Sequence, residues 1–196
     1  MENKKIQYSD FYEYFVSTVK IKNHLFFTPR QVGMSTCGIN YILKYCNDNK
    51  VNGVYFYPNE KHTDNFSGKR FIDWCGWVIY KKNILRKNGN TIYITSKYDE
   101  IVRSYNSLKI KIFIFDDFSY KQNFIDIIPF LDDENVKCIF LETNDEKKYN
   151  DVKQIYKNIL NDKRMVLHYL TINDFLNIKK LSRKSKIEEI FGDNLI

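Results

Sequence analysis

Short runs of apolar, β-branched and aromatic residues recur along the chain, each closed by a polar turn and followed by a stretch of helical period. The runs are "HLFFT" (24–28), "VYFY" (54–57), "TIYIT" (91–95), "KIFIFD" (111–116), "KCIFLE" (137–142) and "MVLHYL" (165–170). Apolar residues at consecutive positions, rather than at every second one, mark strands covered on both faces. Between them the spacing predicts helices at about 35–47, 67–87, 98–105, 118–131, 145–160 and 173–181, the last with Asn173 as its N-cap. This alternation predicts an α/β fold, with a parallel sheet, helices on both faces and right-handed crossovers. No internal repeat or low-complexity linker interrupts it.

With 196 residues, 43% hydrophobic and 16% aromatic, the chain can bury a full core and reads as one globular unit. The net charge of +7 favours polyanionic partners, although a lysine-rich solvated surface gives the same figure. Four cysteines (Cys37, Cys46, Cys75, Cys138) form no C-x-x-C pair, and the three histidines (His24, His62, His168) are dispersed. Neither zinc nor a disulfide framework is expected. The start, "MENKKIQYSDFYEYF", lacks a signal-peptide core, and no stretch reaches the ~20 apolar residues of a membrane span. The expectation is a soluble, intracellular protein with reduced thiols.

The first strand runs into "TPRQVGMST" and then into a helix, the order of a phosphate loop. In the pattern G-x-x-x-x-G-K-[ST], backbone N–H groups and a helix N-terminus surround phosphate, lysine supplies charge, and the hydroxyl meets magnesium. With Gly33 as the second glycine, Ser35 takes the hydroxyl position, Thr28 replaces the first glycine and Met34 stands where lysine belongs. The backbone donors and the helix dipole survive that exchange, and Arg30 offers a permanently charged planar fork from inside the loop. Pro29 restricts the loop at its entry. The alternative is an ordinary glycine-containing strand-to-helix turn.

A second motif, "KIFIFDD", sets adjacent carboxylates after a buried strand, the Walker B pattern. Asp116 would hold Mg²⁺ directly or through water, and Asp117 would orient or deprotonate the attacking water. A strand with an acidic cap is the alternative.

"TPRQVGMST" resembles the deviant Walker A of the large terminase subunits of tailed bacteriophages, the motors that drive DNA into procapsids. That family shows an R-Q-x-G core, and several members lack lysine before the Ser/Thr. The resemblance reaches to about residue 170 and implies a P-loop NTPase three-layer sandwich. Its central sheet would be mostly parallel, with one strand inserted between the Walker A and Walker B strands. ATP and Mg²⁺ are the implied cofactors. Thr28, Pro29, Arg30, Gln31, Val32, Gly33, Met34, Ser35 and Thr36 would form the nucleotide cradle, with Arg30 also catalytic beside Asp117, and Ser35 and Asp116 on the metal. Most relatives have glutamate where this chain has Asp117. At the tip of the inserted strand, Thr143 and Asn144 would couple hydrolysis to movement; a capped strand-to-helix turn is the alternative. Gln7, with Tyr8 and Phe11, falls where an adenine-reading segment lies, and an amphipathic helix explains those aromatics equally well.

The implied function is ATP hydrolysis that drives viral DNA packaging. The alternatives are a non-hydrolysing nucleotide-binding or portal-binding module and a helicase-like remodelling ATPase. Residues 1–170 are expected to form the ATPase domain and 171–196 a C-terminal helix and basic tail, without a nuclease domain. The implied partners are double-stranded DNA, the portal protein, the small terminase subunit, a separate nuclease subunit and further copies in a ring. No membrane is involved, and the location is the host cytoplasm, transiently on the procapsid. Finally, "FSGKRFIDWCGWVIYKKNILRKNGN" reads as one helix with Trp74, Trp77 and Val78 on its core face and lysines on its wet face. A nucleic-acid track is the alternative.

Overall fold

The computed structural model describes residues 8–19, 23–30, 32–57, 76–81, 83–117, 128–143 and 165–171, with isolated positions at 149–150, 153–154, 173–174 and 177. Each apolar run of the sequence forms a strand: β1 (Asn23–Thr28), β2 (Asn52–Phe56), β5 (Asn90–Thr95), β6 (Ile110–Asp116), β7 (Lys137–Thr143) and β8 (Val166–Tyr169). All pairings among them are parallel. The physical reason lies in the alternation of side chains. Ile112 and Ile114 point into one apolar cluster while Phe113 and Phe115 point into the other, so an uninterrupted apolar run fills two cores at once.

Helices α1 (Tyr8–Thr18) and α2 (Met34–Asn49) close one face, and the short helices α3 (Tyr98–Val102) and α4 (Ile128–Asp132) supply residues to the other. The result is three layers. β2 approaches α2 so closely that a Cβ on Gly53 would lie 2.8 Å from Cys46 Sγ and 2.9 Å from both Ile42 Cδ1 and Ile112 Cγ2. Cys37, Cys46 and Cys138 are buried thiols outside any disulfide. Among the described residues no helix is long and apolar enough to cross a membrane.

Of the segment expected to be a helix over 67–87, the described residues 76–81 and 83–87 are not helical. β3 (Val78–Lys81) and β4 (Ile84–Lys87) form an antiparallel hairpin, and β4 pairs antiparallel with β5, giving the order β3-β4-β5-β2-β6-β7-β1-β8. The cause is legible in "KNGN". Asn88 (φ 50°) and Gly89 (φ 83°) bridge the Lys87–Asn90 pair, and two consecutive positive φ angles suit the tight turn that Asn-Gly favours. Trp77 is buried as expected, its Nε1 donating to the Leu43 carbonyl at 3.2 Å, but Val78 is 65% exposed rather than in the core. Trp74 lies outside the described residues.

The remaining helix expectations are met in part. Residues 128–131 of the span 118–131, and 149–150 and 153–154 of the span 145–160, are helical; the rest of those spans lies outside the described residues. Asn173 is not the cap of the last helix, because it is itself helical. Thr171 and Asp174 instead exchange the reciprocal bonds of a capping box.

Candidate functional site

β1, β7 and β6 are neighbours and parallel, so their C-terminal ends reach one edge of the sheet. Thr28 is level with Thr143, and Asp116 with Leu141. β7 is the strand between the other two, as expected for the inserted strand. The chain leaves β1 at Thr28, passes Pro29 and the exposed Arg30, and enters α2 through Gly33. Gly33 is the N-cap residue, with φ 85° and ψ 19°, a left-handed conformation that costs a side chain energy but not glycine. Its carbonyl accepts from Cys37 N at 2.9 Å and closes the first turn. No acidic residue occupies that turn, so the positive end of a 16-residue helix dipole is not neutralised locally.

Loop and strand ends enclose one cleft of about 350 Å³. Thr28, Pro29, Arg30, Val32, Gly33, Met34, Ser35 and Thr36 line it from the β1–α2 side. Asp116 and Asp117 line it from β6, and Leu141, Glu142 and Thr143 from β7. The residues expected to act together are therefore brought together, except those not described: Gln7, Gln31 and Asn144. Met34 is only 8% exposed and packs in the α2-side core, so the side chain in the lysine position serves the fold.

The carboxylates differ in setting. Asp116 closes β6, and its Oδ2 accepts from the Tyr55 hydroxyl at 3.0 Å; that hydroxyl also lies 3.2 Å from the Ser35 carbonyl. Asp117 is exposed and left-handed (φ 53°), with its N–H donating to the Leu141 carbonyl at 2.8 Å. Aspartate is among the residues that tolerate this conformation, and backbone outliers of this kind gather at functional sites. Burial, with the Asp116 charge next to it, pushes the Tyr55 phenol well above its ordinary value, so it remains a proton donor.

Sequence reading missed two residues of this region, Tyr55 and Glu142. Each carried a signal. Tyr55 is a hydroxyl inside a run buried on both faces, which must find a partner. Glu142 is a carboxylate at the end of such a run and is 3% exposed.

No family model matches the sequence, and no curated protein matches it. Among solved structures, the large terminase of a thermophilic bacteriophage, in complex with ADP, superposes with a TM-score of 0.60 at 16% identity. That match covers 94% of this chain and 49% of the other, so this chain spans about half the length of that terminase. The large terminase ATPase domain of Thermus phage P74-26 superposes with a TM-score of 0.59 at 9% identity, covering 92% of this chain and 88% of that domain. At such identities the likeness is one of fold, and the fold of this chain is that of the ATPase domain of phage large terminases.

Proposed function

We propose that this chain is an ATPase of the DNA-packaging kind, hydrolysing ATP to drive viral DNA into procapsids. The carrying observation is the cleft in which the 28–36 loop meets Asp116 and Asp117, with β7 between their strands. The likeness in fold to a large terminase solved with ADP and to a terminase ATPase domain supports the same reading.

The residues present fit a magnesium nucleotide. Loop N–H groups and the α2 N-terminus favour phosphate oxygens, and Arg30 at the rim supplies the charge that Met34 does not. Among the described residues no group of three acidic, histidine or cysteine side chains stands ready to hold a metal. Ser35 and Asp116, which both line the cleft, would hold magnesium together with phosphate and water. When bound, it neutralises phosphate charge during transfer. Asp117, exposed at the cleft, would take a proton from the attacking water, and Thr143 at the tip of β7 would respond to the terminal phosphate. Further copies in a ring, the portal protein, the small terminase subunit, a separate nuclease and double-stranded DNA are the partners of this reading, in the host cytoplasm and on the procapsid.

Single-turnover hydrolysis by the purified protein tests it. Wild type should release phosphate, and Arg30→Ala and Asp117→Ala should release it far more slowly. Equal rates in all three would remove the assignment. The buried Met34 favours a second reading, nucleotide binding without turnover, which predicts ATP-dependent stabilisation and no phosphate release.

A further inference from the structure

Tyr55 belongs to β2, a strand that contributes no residue to the cleft lining. It is fully buried, and its ring packs against α2 where that helix has no side chain: a Cβ on Gly38 would lie 3.3 Å from both Tyr55 Cε2 and the hydroxyl. Gly38 lies one turn into α2, so its bare backbone lets the phenol reach the helix start. There the hydroxyl meets the two partners described above, the Ser35 carbonyl and Asp116 Oδ2, which belong to different elements. A phenol has one proton for two acceptors, and the shorter, charged contact with Asp116 is the stronger claim on it. The ring cannot drift, because Tyr57 packs on it with centroids 4.9 Å apart and Leu141 crowds the same glycine.

We propose that Tyr55 is a positioning residue of the metal-side carboxylate: its hydroxyl, seated beside Gly38 near the start of α2, donates to Asp116 Oδ2 and fixes that carboxylate at the cleft before any cation arrives. The inference rests on the magnesium-nucleotide reading of the cleft and adds a residue that does not itself touch the ligand. An aspartate with a free χ1 would have to be ordered on binding; one already tied does not.

Tyr55→Phe removes the hydroxyl and keeps the ring. Binding of a fluorescent ADP analogue should be measured with chelator and across a Mn²⁺ titration, alongside thermal melts. In Tyr55→Phe, affinity in chelator should match wild type, while the Mn²⁺ concentration for half-maximal enhancement should rise about tenfold, as expected for loss of a hydrogen bond to a charged group. Tyr55→Phe in an Asp116→Asn background should add nothing to the loss from Asp116→Asn alone. A Mn²⁺ curve unchanged from wild type, or losses that simply add, would overturn the positioning role while leaving the nucleotide cleft standing. Wild type that binds no nucleotide under either condition would overturn the cleft reading and this inference with it.

Discussion

In the proposed reading, Arg30 would carry within the loop the charge that Met34 does not. The methionine borders the cleft but is mostly buried in the core and carries no charge, whereas Arg30 is exposed at the cleft rim. Arg30→Ala should therefore weaken ATP binding about 10- to 100-fold, the range for lost charge-assisted bonds, as measured by calorimetric titration. Asp117→Ala should leave binding within about twofold and slow hydrolysis about 100- to 10,000-fold, as loss of a general base does. A matching fall in affinity would show that Asp117 serves binding instead.

A second residue-level prediction concerns the far side of β1. His168 Nε2 lies 3.0 Å from His24 Nδ1, its ring stacks on Phe26 with centroids 4.3 Å apart, and burial holds its imidazole below the ordinary value. Because the folded state takes up this proton less readily than the unfolded chain, the stabilising contribution is present above pH ~6.5 and is lost as the pH falls below it. The urea midpoint should drop between about pH 7.5 and about pH 5.5, and His168→Gln should shrink that drop. Equal drops in both proteins would place the acid sensitivity elsewhere.

Among elements, the strands were the most legible, because consecutive apolar residues have few other uses in a chain of this composition. Every run assigned to a strand is one, within a residue or two at each end. The β3–β4 hairpin was not read, since Trp77 and Val78 with their flanking lysines also satisfy a helical face. Asn88–Gly89 held the contrary signal. That Asn-Gly turn joins β4 to β5, and inside the expected span Asn83, with φ 68°, departs from helix geometry. The contact of α2 with β2 was not legible either, as "NGV" gives no hint of how near a helix passes. Gly53→Ala places a methyl against Cys46, Ile42 and Ile112 together and should cost about 1–3 kcal/mol by chemical denaturation. An unchanged midpoint would mean that α2 can withdraw freely from the sheet.

For the whole molecule, the decisive feature is the sheet order, which puts β7 between β1 and β6 and so spaces the loop from the carboxylates by one strand. Ligand bound in that cleft touches the β1–α2 loop, β6 and β7 together, so it should stabilise the folded state as a unit. ATP with Mg²⁺ at about 100 times its Kd should add about 2.7 kcal/mol, a rise in Tm of roughly 5–10 °C. Absence of any shift at saturating nucleotide would count against a preformed site.

The linear chain was sufficient for whatever depends on near neighbours: the strand runs, the loop with its glycine, arginine and serine, and the paired aspartates that end a strand. Each is a pattern of a few adjacent residues, and local sterics, side-chain alternation and helix-end chemistry act over that range. What needed folding was every relation between distant segments. The hydrogen bond from Tyr55 to Asp116, the burial of Met34, the tight seat of Gly53 and the exposed outer hairpin all join residues from separate elements. Such relations are set by sheet order and interlayer packing, and residue types written in a line carry neither.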